Sequence, residues 1–371
     1  MEHDLKSIAK RFSVRGEPVD VVPITAGHIH DTYVLTTGGK GQVDRYVLQR
    51  INQVVFKDPV RVMANIRRVT GHIYTKVSTT EPEAAARQLV VIPTHGGEAG
   101  YRDADGDFWR VYNFIEDAVT YDTLTSAAPA REAARMFGWF QQMLIDLPGP
   151  PLHETIPGFH DTPRRFAVFQ EVLQADVANR AKNAKGEIDF VFENSAICGV
   201  LADLVARGEV PVRIAHNDAK INNVMLDKNT GKGVCVIDLD TVMPGLSVHD
   251  FGDLVRTAAC PAAEDERDLS RVAVDLSLFD ALAQGFAEGT HGFLTPAERL
   301  HLVFGGKLIT FEQLIRFLTD YLAGDVYYKV HREGHNLDRS RTQMKLVESM
   351  IEQEEAMDKL VEKAFLNARM V

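Results

Sequence analysis

The chain has 371 residues, 45% hydrophobic and 25% charged, with 41 Lys and Arg against 52 Asp and Glu and a formal net charge of −11. Such a length predicts two or three units with buried cores, and the composition excludes a disordered chain. The acidic balance excludes a general nucleic-acid or anionic-membrane binder, which needs a basic face, but leaves room for an anionic ligand held by a few cations or backbone amides.

Short β-branched runs alternate with turn signals up to about residue 115. Val21 to Thr25, Thr32 to Thr36 and Tyr46 to Ile51 are expected strands, the last two joined through Gly38-Gly39-Lys40-Gly41. Asp58-Pro59 opens a helix to about Tyr74, with Val60, Met63, Ile66 and Ile73 on one stripe. Strands are expected again at Leu89 to Ile92, Gly100 to Arg102 and Phe108 to Phe114, with Asp105-Gly106 as a turn. Helical patterns dominate after residue 125. One helix starts near Pro129 and runs to about Leu147, stopped by Pro148-Gly149-Pro150-Pro151. A long helix is expected from Ile188 to Arg207 with Gly208 as its cap, then a short β segment near 212–240. Helices follow to the end, including Pro296 to Leu322 and Arg341 to about Ala368. The expected domains are 1–115 and 116–371.

Cys198, Cys235 and Cys260 form no Cys-x-x-Cys pair, and an odd count suits a reducing compartment. The first twenty residues hold no apolar signal core, and no run of 18 apolar residues exists. A soluble cytoplasmic protein with no membrane partner is the expectation.

The chemistry is concentrated in residues 214–245. His216-x-Asp218-x-Lys220-x-x-Asn223 is followed, after a loop, by Ile237-Asp238. Val224 to Leu226 and Val234 to Ile237 read as short strands around a turn-rich loop, Asp227 to Gly233. Folding this hairpin about Thr230-Gly231 brings Asn223 across from Asp238, with Cβ atoms about 5 Å apart. An amide oxygen and a carboxylate at that separation can share one Mg²⁺, whose ligand distances are about 2.1 Å. Asp218, just before the hairpin, is then placed to act as a base. If the strand continues, Asp240 shares a face with Asp238, and their roles could be exchanged; Asp238 is favoured.

The order His-x-Asp-x-Lys-x-x-Asn and a later metal-binding Asp resembles the catalytic loop and metal motif of protein-kinase-like folds. Asn217 in place of an arginine, and Asp238-Leu239-Asp240 in place of Asp-Phe-Gly, resemble the aminoglycoside phosphotransferase and choline kinase group of small-molecule kinases. The likeness extends through GHIHDTYVLTT, YVLQRIN, FWRVYNFIE, FHDTPRRF, VIDLDTVMPG, RFLTDYLAGDVYY and HNLDRSRTQMKLVESM. It points to a branch that phosphorylates N-acetylated hexoses at the anomeric hydroxyl.

The resemblance implies an α+β, protein-kinase-like two-lobe fold, with a small β-rich N-lobe and a larger helical C-lobe. It implies ATP as co-substrate, Mg²⁺ as cofactor and a small sugar as acceptor. Asp218 would accept the sugar proton and contact the sugar, Lys220 would offset phosphoryl charge, and His216 would support the loop. Asn223 and Asp238 would hold the metal. Gly27 and His28 would cover the phosphates. Gln49 stands where a phosphate-binding lysine is expected, so either Arg50 substitutes or metal and backbone suffice. Phe114 and Glu116 would flank the adenine. Arg316 and Tyr327 would bind the sugar; the alternatives are a surface ion pair of Arg316 with Asp320 and a core role for Tyr327.

Other signals are weaker. His28-x-His30-Asp31 lacks a distant third metal ligand. His249-Asp250 follows a β run, so Asp250 is read as a helix-start residue bracing the catalytic loop. Asp103-x-Asp105-x-Asp107 lacks the Gly and Glu of a calcium loop, having Phe108 and Phe114 there. A competing class, a nucleotide-binding pseudokinase regulator, rests on Gln49 alone.

Overall fold

The computed structural model describes residues 3–24, 29–39 and 42–368. The chain divides into two compact units, which interleave in sequence. The first comprises residues 1–118, 143–157 and 234–244; the second comprises 119–142, 158–233 and 245–371.

The first unit is built on an antiparallel sheet. Its strand order is Glu17–Ile24, Asp31–Gly39, Gln42–Arg50, Phe108–Asn113 and Val91–Ile92, and Tyr101–Arg102 also pairs with Phe108–Asn113. Alternation gives the sheet two chemically distinct faces. Leu35, Tyr46, Leu48, Trp109 and Val111 pack with Ile8, Ala9 and Phe12 from the N-terminal segment. The opposite parity carries Thr32, Gln49 and Arg110, in register across three neighbouring strands. Asp105-Gly106 forms the expected turn. Gly106 has φ +89°, and the Asp103 side chain accepts the backbone N–H groups of Asp105 and Asp107.

The helix after Asp58 runs Pro59–Thr80, with the Asp58 carboxylate accepting from Arg61 N. Its buried stripe is Val62, Met63, Ile66, Val69, Ile73 and Val77. Val60, expected on that stripe, is 59% exposed; at 100° per residue it falls well off the stripe's centre. Asn65 is buried on this helix. Its amide donates to His153 O and Val242 O and accepts from His153 N, stitching three stretches of the first unit together.

Helices make up most of the second unit. Leu302–Ala323 is buried along nearly its whole length and packs against Thr162–Ala175, Ser247–Ala258 and His335–Glu352. Phe169, Val191, Phe311, Leu314, Ile315 and Leu318 form one core cluster around it. Three expected helices are each split in two. Ile188 to Arg207 is interrupted between Lys185–Glu193 and Val200–Ala206, because Asn194 Nδ2 and Ser195 Oγ bond back to Phe190 O and Phe192 O and compete with the helical ladder. Gly208, at φ +72°, caps the shorter second piece. Pro296 to Leu322 divides at His301, into Pro296–Leu300 and Leu302–Ala323. Arg341 to Ala368 is the pair His335–Glu352 and Glu354–Asn367, divided at Gln353, whose amide donates to Ser349 Oγ and Val274 O.

Two helices of the second unit touch backbone to backbone. A Cβ on Gly285 would lie 2.0 Å from Arg131 O, and one on Gly289 2.1 Å from Arg135 O. No side chain can yield there, so Gly285→Ala should force the helices apart. We expect a loss of about 1–3 kcal/mol in urea unfolding, the usual cost of overpacking; an unchanged midpoint would contradict the close crossing.

Candidate active site

The second unit carries the loop from His216 to Asn223. Strand Arg213–Ala215 delivers it, and helix Ser247–Ala258 anchors it. Asp250 is buried on that helix. Its Oδ2 accepts from His216 N at 2.8 Å and from Gln141 Nε2 at 2.6 Å, while Oδ1 accepts from Asn217 N at 2.7 Å. Asp250 thus braces the loop through its backbone. Burial pushes the Asp250 carboxyl above its ordinary range against these hydrogen bonds. His216 is buried between the edges of Phe137 and Phe140, and its Nδ1 receives Asp218 N at 3.3 Å. These contacts suit a supporting role.

Asn217 adopts φ +64°, a left-handed conformation that side chains seldom take. A second brace holds it there. His160 Nε2 lies 2.8 Å from Asn217 O, and Nδ1 lies 2.9 Å from Glu312 Oε1. Both partners are pure acceptors, so the ring is satisfied only as the imidazolium. Burial opposes that charge, but Glu312 outweighs it and holds His160 above its ordinary value. Burial likewise opposes the Glu312 charge, which His160, Arg316 and the Thr162 hydroxyl hold down at about 2. The adjoining His249 is the reverse case. Burial and the His160 charge depress it to about 3, so it stays neutral.

Asp218 follows Asn217. Lys220 Nζ lies 3.0 Å from its Oδ2. Burial raises the Asp218 carboxyl, but Lys220, with His216 and Arg256, overrides this and keeps it below the usual range. Asn223 Nδ2 donates to Asp218 O at 2.8 Å and is 3.3 Å from Asp218 Oδ2. That fixes the amide's orientation. Its Oδ1, the end able to bind a cation, has no hydrogen-bond partner among the described residues. His216, Asp218, Lys220 and Asn223 are therefore brought together in one loop. The following turn is at Thr230-Gly231 as expected, with Asp227 Oδ1 accepting from Asn229 N and Thr230 N and Gly231 at φ +69°.

The expected acceptor residues also lie in the second unit. Asp320 is buried and makes no ion pair with Arg316. Its two oxygens accept from the backbone of Val326, Tyr327 and Tyr328 at 2.8–2.9 Å and from Asn336 Nδ2. The surface-pair alternative is thereby corrected: three backbone donors occupy the carboxylate. Arg316 instead lies over Phe159, 5.4 Å from its ring centre, and donates to Gln313 Oε1. Tyr327 is 64% exposed, not a core aromatic, and meets Tyr328 edge to face.

Asn223 belongs to the second unit and Asp238 to the first. In the first unit, the strand before Asp238 stops at Val236. Asp238 takes φ +60°, and Leu239–Thr241 is a 3-10 turn. The expectation that Asp238 and Asp240 share a strand face is corrected, because the left-handed residue ends the alternation. Asp238 is exposed, whereas Asp240 is buried. Arg110 takes both Asp240 oxygens, at 2.6 and 2.7 Å, and is itself only 1% exposed. His30 Nε2 lies 3.4 Å from Asp240 Oδ2. His30, Asp238 and Asp240 thus form a group with metal-ligand spacing, the distant partners His30 lacked in the sequence; the cation already on Asp240 is the guanidinium.

Arg110 was not legible as a site residue, although its signal was present: a lone arginine inside Phe108-Trp109-Arg110-Val111-Tyr112 requires a buried partner. Gln49 is held at both ends, donating to Thr32 Oγ1 and accepting from Arg110 Nε, each at 3.0 Å. Arg50 has the opposite parity and is engaged by Asp31, Asp107 and His3. Glu116 pairs with Arg45, whose guanidinium also covers the Phe114 ring at 4.3 Å. Arg87 donates to Glu116 O and Asp117 O. Gly27 and His28 lie outside the described residues.

A family model described as "Phosphotransferase enzyme family" matches residues 20–288. The chain belongs to the phosphotransferase enzyme family. Among solved structures, it is similar to a spectinomycin phosphotransferase in complex with ADP and spectinomycin, at 11% identity and TM-score 0.57, covering 95% of this chain and 98% of that one. An aminoglycoside phosphotransferase from Alicyclobacillus acidocaldarius gives 13% and 0.57, with coverage of 100% and 98%. A choline kinase from Cryptosporidium parvum gives 13% and 0.52, with 98% and 97%. The fold is therefore protein-kinase-like, with a β-sheet N-lobe and a helical C-lobe. No helix among the described residues is long and apolar enough to cross a membrane.

Two outcomes test these braces. Arg110→Met should cost about 3–5 kcal/mol in denaturant unfolding by stranding the Asp240 carboxylate, and adding Asp240→Leu should recover most of it. For His160 the folded value lies above the unfolded 6.5, so its contribution is complete below that pH and is lost as pH rises through the folded value. Turnover should then show an alkaline limb that His160→Gln removes, with kcat reduced about 10–100-fold by the displaced loop. A pH–rate profile with the limb intact in the variant would contradict the brace.

Proposed function

We propose that the protein is an ATP-dependent N-acetylhexosamine 1-kinase, converting an N-acetylated hexose and ATP into the sugar 1-phosphate and ADP. The kinase chemistry rests chiefly on one observation: an ionised Asp218, paired with Lys220 and flanked by Asn223, in a loop braced by Asp250 and His160. Family membership supports phosphoryl transfer, and the likeness of the later sequence blocks to N-acetylhexosamine 1-kinases supports the acceptor and the 1-position. The three free, buried cysteines fit a reducing cytoplasm.

Asp218 aligns the attacking anomeric oxygen and takes its proton late in a loose transition state. A hemiacetal hydroxyl is more acidic than an ordinary alcohol, so an aspartate is an adequate base. Lys220 offsets charge on the transferring phosphoryl group. Asp238 and Asn223 are the proposed Mg²⁺ ligands; the donor set fits, since a hydrated Mg²⁺ takes one or two carboxylates plus neutral oxygens. Asp240 is the weaker candidate, because Arg110 holds both its oxygens. When bound, the metal neutralises the ATP phosphates. Phe114 and Glu116 are proposed to flank the adenine, Gln49 to neighbour the phosphates, and Arg316 and Tyr327 to bind the sugar.

Coupled ADP release over a panel of sugars identifies the acceptor, and phosphorus NMR identifies the position. We expect phosphorus coupling to the anomeric proton and loss of the reducing end. Phosphate on the 6-hydroxyl would overturn the 1-kinase reading while leaving a small-molecule kinase. Asp218→Asn should retain Mg-ATP and sugar binding by calorimetry while losing about 10²–10⁴-fold in turnover. Asp238→Ala should abolish Mg²⁺-dependent turnover, and Asn223→Ala should weaken it less, since an amide neutralises no metal charge.

A further inference from the structure

Arg165 is only partly compensated by the described residues around it. It lies in the first turn of helix Thr162–Ala175, where the positive end of the helix dipole opposes a cation. Its Nη2 donates to Phe159 O at 3.1 Å, but its Nε–H is buried with no hydrogen-bond partner among the described residues. A second guanidinium converges on the same residue, since Arg316 lies over the Phe159 ring. Burial, and then the neighbouring Arg316 charge, make the Arg165 cation less favourable than usual. A buried, unmatched donor costs free energy unless something accepts it.

The place is close to the chemistry. Phe159 adjoins His160, at 4.8 Å between ring centres, and His160 holds Asn217 O, one residue before Asp218. Arg316 also feels the Asp218 charge. Arg165 and Arg316 are both part-exposed. Two guanidinium groups with unused N–H donors call for an oxygen that accepts twice and donates nothing. A sugar hydroxyl carries a proton that needs its own acceptor. On an N-acetylhexosamine, the strong acceptor without a proton is the acetamido carbonyl.

We propose that Arg165, together with Arg316, binds the acetamido carbonyl of the acceptor sugar and sets the preference for N-acetylated over unsubstituted hexoses. This rests on the 1-kinase reading above. The test compares the wild type with Arg165→Met and Arg165→Lys. It measures the KM for N-acetylglucosamine, the KM or inhibition constant for glucose, and the KM for ATP, with thermal unfolding as the check on folding. Arg165→Met should raise the KM for N-acetylglucosamine about 10–100-fold, the range for a hydrogen bond to a charged group. The glucose and ATP constants should stay unchanged, and Arg165→Lys should not rescue, because an ammonium lacks the planar fork. Should Arg165→Met fail to fold, Arg165→Lys carries the same comparison. An unchanged KM for N-acetylglucosamine in the folded variants, or an equal rise for glucose, would overturn the proposal. A wild-type enzyme that turns over no N-acetylhexosamine would sink the 1-kinase reading itself. Turnover by the wild type with indifferent Arg165 variants would sink this inference alone.

Discussion

Asp250 has no cation among its hydrogen-bond partners. It is buried, and it spends its two oxygens on the backbone N–H groups of His216 and Asn217 and on the amide of Gln141. The course of the loop from His216 to Asn223 depends on that arrangement. Because the contacts are to backbone, they fix where the loop runs whatever its side chains are. Asn217 is then turned into the left-handed region, and Asp218 is presented after it with Lys220 and Asn223 at hand. The buried His160–Glu312 pair completes the clamp from the other side of Asn217. Each brace keeps an ionisable group in the interior, where an unmatched charge costs several kcal/mol. The site is held by polar groups that are satisfied only in one geometry.

The first unit solves a related problem with a different residue. Gln49 stands where the resemblance led to the expectation of a lysine on the third strand, and its cross-strand neighbour is the cation Arg110. Arg110 binds Asp240 with both arms and steadies Gln49, so the turn holding Asp238 is tied to the sheet. A guanidinium suits that task better than an ammonium, since its two parallel N–H groups match the two carboxylate oxygens. With Asp240 committed inside, the two acidic residues of the turn take separate places, one buried and one exposed.

Much of this was legible in the chain. The strands around residues 32–50 and 108–113, the turn at Asp105-Gly106 and the cap at Gly208 follow from alternation and turn chemistry. The loop residues His216, Asp218, Lys220 and Asn223 stand out through spacing, and the structure brings them together. The interruption at Gln353 was not legible, because its amide reaches Val274 O only once the chain has folded, whereas the one at Asn194 rests on local bonds that an Asn-Ser pair signals. Asp250 was read from the chain as the loop's brace, and the structure agrees, but the pairs His160–Glu312 and Arg110–Asp240 were hidden. His160 and Glu312 are 152 positions apart, and Arg110 and Asp240 are 130 apart. No local pattern reports a buried pair of that separation. Asp320 misled in the opposite way. Its spacing from Arg316 suggested a pair on one helix face, whereas the carboxylate turns to the backbone of a segment beyond the helix end.

That last arrangement has a bearing on how such a protein can diversify. Asp320 grips residues 326–328 by their N–H groups, which every amino acid except proline possesses. The course of the segment is therefore independent of which side chains it displays, and Tyr327 projects outward from a path already fixed. Residue identity at that point can drift without the scaffold being rebuilt. A fold organised in this way separates the inheritance of shape from that of surface chemistry: Asp320 carries the first, and the exposed side chains of Val326 and Tyr327 carry the second.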